Sequence, residues 1–180
     1  MPPDATTATR QSASPPPGQR DVPARKNPFT RSTRGGRVLS AMMLPLLLAS
    51  PSRTYGVITT TGRRTGKARR KCVRVVRRGK HAYLVAIPGE RAAWLKNIRA
   101  GPGVELRLQG GTFRGLARDP RDAEERARAR AIYCGTIDPF DHVAGTLHQR
   151  GVSSRQKLEA LHGKWFDRGT PLVVEIEPPR

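Results

Sequence analysis

Three strand signals follow one another between Tyr55 and Ile87, and only a short glycine-bearing turn separates each from the next. "YGVITTT" (55–61) is rich in β-branched residues and stops at Gly62. "RKCVRVV" (70–76) interleaves valine with basic residues, as a strand with one wet face does, and the run closes at Gly79. "HAYLVAI" (81–87) is the third strand. Turns this short make hairpins, so this part of the chain must form a small antiparallel sheet.

The remaining elements follow from changes of period. "ERAAWLKNIRA" (90–100) repeats Trp94, Leu95 and Ile98 at helical spacing, and "GPG" stops it. "VELRL" (104–108) and "TFRGLAR" (112–118), joined by "QGG", form a second hairpin. "DPRDAEERARARAIYCG" is a helix with acids in its first turn and arginines behind them, ended by Gly135. A shorter helix, "SSRQKLEALHG", starts on a serine cap and sets Arg155 one turn from Glu159. "TPLVVEIE" (170–177) is a last strand, stopped by "PP". An α+β domain of about six strands over 27–180 results, preceded by a Pro/Ser/Arg-rich tail (1–26) that cannot bury enough apolar area to order itself.

Charge narrows the choice of partner. The chain carries 34 Lys+Arg against 14 Asp+Glu, a formal net charge of +20. From Val22 to Gly89 there are sixteen Lys/Arg and no acid, whereas from Glu90 onward sixteen meet twelve acids. The excess belongs to the first half of the domain, and it draws phosphates, nucleic acid or an anionic membrane. Two cysteines, Cys72 and Cys134, make no disulfide framework, and the chain reads as reduced and cytoplasmic. The four histidines show no close metal spacing, so no metal is expected.

The apolar run from Val38 to Ala49 has 12 residues and contains Pro45, too short for a membrane span of about 20 residues. Two readings stand for residues 37–49: a helix packed on the domain, or one lying on an anionic membrane surface, peripheral to its inner face.

The tip of the first hairpin, "TGRRTGKAR", offers the turn amides at Gly62 and Gly66, the Thr65 hydroxyl, and forked guanidinia at Arg63, Arg64 and Arg69. Such groups suit phosphate oxygens, although a solvated basic turn has the same composition. A Walker A loop is excluded: the glycines are three residues apart, Ala68 replaces the Ser/Thr, and a strand follows. The four-residue "PFDH" is a candidate cover for a pocket mouth.

"VITTTGRRTGKAR" (57–69) followed by "WLKNIRA" (94–100), with "NPF" upstream and "GTPLVVEIEP" (169–178) at the close, resembles the deazaflavin-dependent nitroreductase and quinone reductase family, in its shorter-loop branch. The likeness spans about residues 27–178. It implies a split β-barrel of the flavin-mononucleotide-binding kind with peripheral helices. It also implies coenzyme F420 as cofactor, a 5-deazaflavin with an anionic phospholactyl-polyglutamate tail; flavin mononucleotide is the less favoured ligand. Arg63, Arg64, Thr65, Gly66 and Arg69 match the positions that hold the tail phosphate. Ala86, Ile87 and Pro88 match the segment beside the ring, with Ile87 and Pro88 standing where other members carry polar contacts.

Hydride transfer asks little of side chains, so an enzyme needs no triad here. Trp94 either walls the ring pocket or packs in the core, and Asn97 either touches the cofactor or braces a loop. Tyr133 matches a region that supplies substrate-facing tyrosines, and stands as candidate proton donor or as a helix-end core residue. The resemblance implies hydride transfer from reduced F420 to an electron-poor small molecule such as a quinone, nitroaromatic or enone, by a monomer or homodimer. Two other readings stay open. One is a non-catalytic basic module for nucleic acid or acidic lipid, against which the low aromatic content (5%) and the lack of nucleic-acid-binding motifs speak. The other is a split barrel carrying another flavin or haem.

Overall fold

Six strands pair wholly antiparallel: β1 (Tyr55–Thr61), β2 (Ala68–Arg78), β3 (His81–Ala86), β4 (Gly103–Leu108), β5 (Gly111–Arg118) and β6 (Thr170–Ile176). Their order is β1-β2-β3-β6-β5-β4, and β4 pairs back onto β1 to close the barrel. The computed structural model describes residues 43–49, 52–142 and 154–177. The tail expected over 1–26 and the start of the apolar run lie outside them.

Alternation along the strands builds two cores. Val75 faces Leu84 inside the barrel, and their neighbours Val76 and Tyr83 face outward. Ile58, Leu84, Leu106, Leu172 and Val174 fill the interior, and helix α1 (Ala93–Ala100) adds Leu95 and Ile98 at one end. Outside, Val76, Tyr83, Val85 and Val173 are covered by Ala129 and Tyr133 of α2 (Ala123–Gly135) and Phe166 of α3 (Arg155–Arg168). The helices therefore shield the β2–β3–β6 wall. Gly79, at φ 58°, supplies the left-handed residue that the two-residue β2–β3 turn requires.

Boundaries moved for physical reasons. The stretch 90–100 splits into a 3-10 turn at Gly89–Arg91 and α1, because Ala92 is extended (ψ 122°) between them. Helix α3 continues past Gly163 to Arg168, since Leu158, His162 and Phe166 recur every fourth residue on its buried side. Both expected caps form: Asp122 accepts from the Glu125 N–H and Ser154 from the Lys157 N–H. Residues 43–49 are helical, with Leu47 buried and Leu46 53% exposed.

Candidate functional site

Antiparallel pairing decides what meets at each end of the barrel. The end of β1, the starts of β2, β4 and β6 and the end of β3 lie together, as the pairs Thr61–Ala68, Thr60–Val104 and Ala86–Thr170 require. The cationic hairpin tip, the Ala86–Ile87–Pro88 exit and α1 with Trp94 and Asn97 are thereby collected at one end. Residues far apart in sequence converge as a matter of register.

At the tip the expected supply of free turn amides is corrected. The Thr65 and Gly66 N–H groups both donate to the Gly62 carbonyl (3.1 and 2.7 Å), and Gly62 N–H donates to Lys67 O at 2.9 Å. The Arg63 amide donates to Asn97 Oδ1 at 3.3 Å. The turn thus satisfies the Gly62, Thr65 and Gly66 donors itself, and the side chains supply most of the anion-binding groups here. Those are plentiful: Arg63, Arg64, Lys67, Arg69 and Arg70 are all exposed. Among the described residues none of the five has a carboxylate within ion-pair distance. The second half differs, with Arg99 on Asp119 and Glu90, Arg118 on Glu125 and Glu175, Arg130 on Asp167 and Arg155 on Glu159. The Arg118 guanidinium holds the Glu125 carboxyl down at about 2, over the opposing effect of burial.

Beside the cations lies apolar surface. Ile87 is 46% exposed, one of three large hydrophobic side chains so exposed among the described residues, and Pro88 is exposed next to it. Trp94 is half-buried and leans on the barrel core. Ala86 is fully buried, so its side chain belongs to the barrel interior. On the other flank of the tip a groove of about 360 Å³ runs over the bare β1–β4–β5 wall, lined by Thr59, Thr61, Gly66, Ala68, Arg114 and Leu116 among others.

Asn97 is buried, and protein groups meet both ends of its amide. Oδ1 accepts from the Arg63 N–H and from Arg63 Nη1 (3.4 Å), and Nδ2 donates to Thr60 Oγ1 (3.1 Å). These bonds run to the backbone and side chain of Arg63 and to the Thr60 hydroxyl of the β1–β2 hairpin.

Tyr133 lies away from the cationic tip. It is 0% exposed, packed against Phe166 and His162, with the Arg74 guanidinium 4.5 Å from its ring centroid. Burial pushes its phenol up to about 12, against the pull of Arg74. Arg74 pairs with Tyr55, six register steps (about 20 Å) from the tip pair Thr61–Ala68. Its hydroxyl is enclosed and lies well away from the cationic end.

The "PFDH" segment also sits at that far end. Asp138 accepts from the Thr54 N–H (3.1 Å), Asp141 takes Thr54 Oγ1–H (3.0 Å) and Arg74 Nε–H (2.8 Å), and the Phe140 ring lies 5.0 Å from that of Tyr55. It clasps the start of β1, so it does not cover the tip. No sequence signal marked this clasp beyond two acids opposite a basic strand.

The architecture is a closed, six-stranded antiparallel β-barrel with helices packed on its outside. Residues 26–141 match the family model described as F420H(2)-dependent quinone reductase, and the chain belongs to that family. It is an oxidoreductase that works with coenzyme F420 and a small-molecule electron acceptor. No curated protein matches the chain. Among solved structures it is similar to an F420-H2 dependent reductase, at 21% identity and TM-score 0.45, over 70% of this chain and 96% of that one. It is also similar to a heme binding protein from Mycobacterium smegmatis (15%, TM-score 0.46, 73% and 48% covered). An FAD-binding protein from Mesorhizobium loti gives 15% and TM-score 0.42, with 77% and 91% covered. Among the described residues no helix is long and apolar enough to cross a membrane, and no three His, Cys, Asp or Glu side chains gather as a metal site would.

Proposed function

We propose that the tip of the β1–β2 hairpin holds the phosphate of coenzyme F420 and that the apolar shelf beside it carries the deazaflavin ring. One observation supports this above the others: among the described residues Arg64, Lys67, Arg69 and Arg70 stand exposed and without carboxylate partners, although most arginines of the second half are paired. An ensemble of cations kept free of internal partners fits a ligand with phosphate and several carboxylates. Arg63, Arg64 and Arg69 would take the phosphate together with the Thr65 hydroxyl and the turn at Gly66. Lys67 and Arg70 would receive the glutamates beyond it.

On the other side, Ile87 and Pro88 give a flat apolar surface and Trp94 a partly buried aromatic edge at the same barrel end. Such a shelf removes one ring face from water and leaves the other for the acceptor. The bound deazaflavin supplies the hydride; the protein orients it and excludes solvent. The acceptor is an electron-poor small molecule of the quinone, nitroaromatic or enone kind, and the family description favours a quinone. Contact of residues 37–49 with an anionic membrane surface is supported by the exposed Leu46, 53% open to solvent.

The test is a fluorescence titration of the protein with coenzyme F420, and in parallel with flavin mononucleotide, repeated on the Arg64→Ala/Arg69→Ala variant. Saturable binding of the deazaflavin, weakened about tenfold or more by the double substitution, is the expected result. Equal affinity in both proteins removes the phosphate assignment. Preferential binding of flavin mononucleotide removes the cofactor assignment to this shelf.

A further inference from the structure

We infer that Asn97 is a positioning residue: it sets the geometry of the cationic tip from within α1 and makes no contact with the cofactor itself. This rests on the phosphate site proposed above. Two facts of the structure lead to it. Asn97 is 6% exposed, and both ends of its amide are occupied by protein groups of one small region.

The orientation of the amide is dictated by its partners. The Arg63 N–H and Nη1–H are donors and need the oxygen facing them, at 3.3 and 3.4 Å. The nitrogen then points to Thr60 Oγ1 at 3.1 Å, and the threonine hydroxyl donates to the carbonyl of Arg69, its register partner across the hairpin, at 3.5 Å. A reversed amide would set donor against donor. The result is a chain from Arg63 through Asn97 and Thr60 to Arg69, which ties both legs of the hairpin to a helix that packs into the barrel interior through Leu95 and Ile98. A hairpin tip in solvent samples many conformations; two of its cations are here referred to a rigid element. Pre-setting them spares the ordering that phosphate binding would otherwise require.

The experiment is a titration of coenzyme F420, and of its deazaflavin fragment lacking the phosphate tail, into wild type, Asn97→Ala, Thr60→Val, the Asn97→Ala/Thr60→Val double variant and Arg64→Ala. Steady-state kinetics with reduced F420 and a quinone accompany it. Expected for Asn97→Ala is about a tenfold rise in KM and Kd for F420, with kcat within about twofold and the ratio of fragment to wild-type binding signal unchanged. The double variant should lose little more than Asn97→Ala, because one chain of bonds is broken twice. Equal loss of fragment and full cofactor, a fall in kcat without a change in KM, or fully additive losses would each overturn the inference. Arg64 touches none of the Asn97 partners, so it separates the two ideas. If Arg64→Ala weakens F420 and Asn97→Ala does not, the positioning role alone fails. If neither substitution matters, the phosphate site fails first.

Discussion

Arg74 Nε donates to Asp141 Oδ1 at 2.8 Å, with the two side chains 2% and 0% exposed. The guanidinium completes its set on the backbone carbonyls of Tyr133 (2.7 Å) and Thr136, while Asp141 also accepts from Thr54 Oγ1 and the Asp138 N–H. Burial alone would push the Asp141 carboxyl up. Hydrogen bonds from His162 and Arg74 outweigh that and hold it well below the usual range. One ion pair thus fastens the segment after α2 to the first two strands. Removing one partner leaves the other charged and sealed from water, so Asp141→Ala should cost about 3–5 kcal/mol. In a domain of this size that lowers Tm by roughly 6–20 °C. Thermal unfolding by circular dichroism checks it. A loss below about 1 kcal/mol would mean that the pair is loosely held.

His162 adds a pH dependence. Burial pushes its imidazole below the ordinary value, and the nearby Arg74 charge adds to this, over the opposing hydrogen bond to Asp141. A folded-state pKa below the unfolded one means that the unfolded chain takes up the proton first. Stability is then full above about pH 6.5 and falls as the pH drops below it. Asp141 acts in the same direction at lower pH: its contribution is present above about pH 3.9 and is lost as the pH falls through its depressed folded value. Urea midpoints at pH 7.5 and 5.0 should differ in wild type and differ less in His162→Gln. Equal pH dependence in both proteins would locate the sensitivity elsewhere.

Tyr133→Phe tests the buried phenol. Among the described residues its enclosed hydroxyl has no hydrogen-bond partner, so removing it relieves an unsatisfied group and keeps the ring on Phe166 and under Arg74. Tm should stay level or rise, and turnover with reduced F420 should be unchanged across the pH range. A fall in kcat with KM constant would return Tyr133 to the reaction.

Most of the barrel was legible because its strands announce themselves locally. Val75 and Val76 sit on opposite faces, and alternation with bounding glycines is enough to see such a strand. The end of α3 was hidden by Gly163, which reads as a stop. In the fold it is the place where α2 approaches, a Cβ there meeting Arg130 Nη2 at 3.2 Å. The cationic tip was visible as composition, yet the inward turn of its amides was not, since their partners are set by backbone geometry. The bond between Asn97 and Arg63 spans 34 residues and that between Arg74 and Asp141 spans 67; neither has a local signature.

Binding of F420 should weaken with salt in a manner that identifies its charged contacts. Arg64, Lys67, Arg69 and Arg70 are exposed, so their attraction for the tail is screened over about 8–10 Å at ordinary ionic strength. Titrations at low and high salt should show a marked loss of affinity in wild type and a smaller one in Arg64→Ala/Arg69→Ala. The tail-less deazaflavin should show almost none with either protein. Identical salt dependence for the full cofactor and the fragment would mean that the tail is held elsewhere.

Gly115 lies where β5 crosses close to β6. A Cβ at this position would sit 2.3 Å from the Glu175 carbonyl oxygen and 2.9 Å from a Val174 methyl. The oxygen belongs to the backbone of a paired strand, and Val174 is in the barrel interior, so neither can step aside without opening the seam. Gly115→Ala should therefore cost at least the 1–3 kcal/mol typical of overpacking. That seam also carries Arg118, whose guanidinium joins Glu175 of β6 to Glu125 of α2. Loosening it should speed exchange of the amides donated across β5–β6, such as the Glu177 N–H on Arg114 O, before the β1–β2 amides respond. Hydrogen exchange followed by mass spectrometry reads both regions in one experiment. Uniform acceleration across the barrel would show that the sheet opens as a single unit instead.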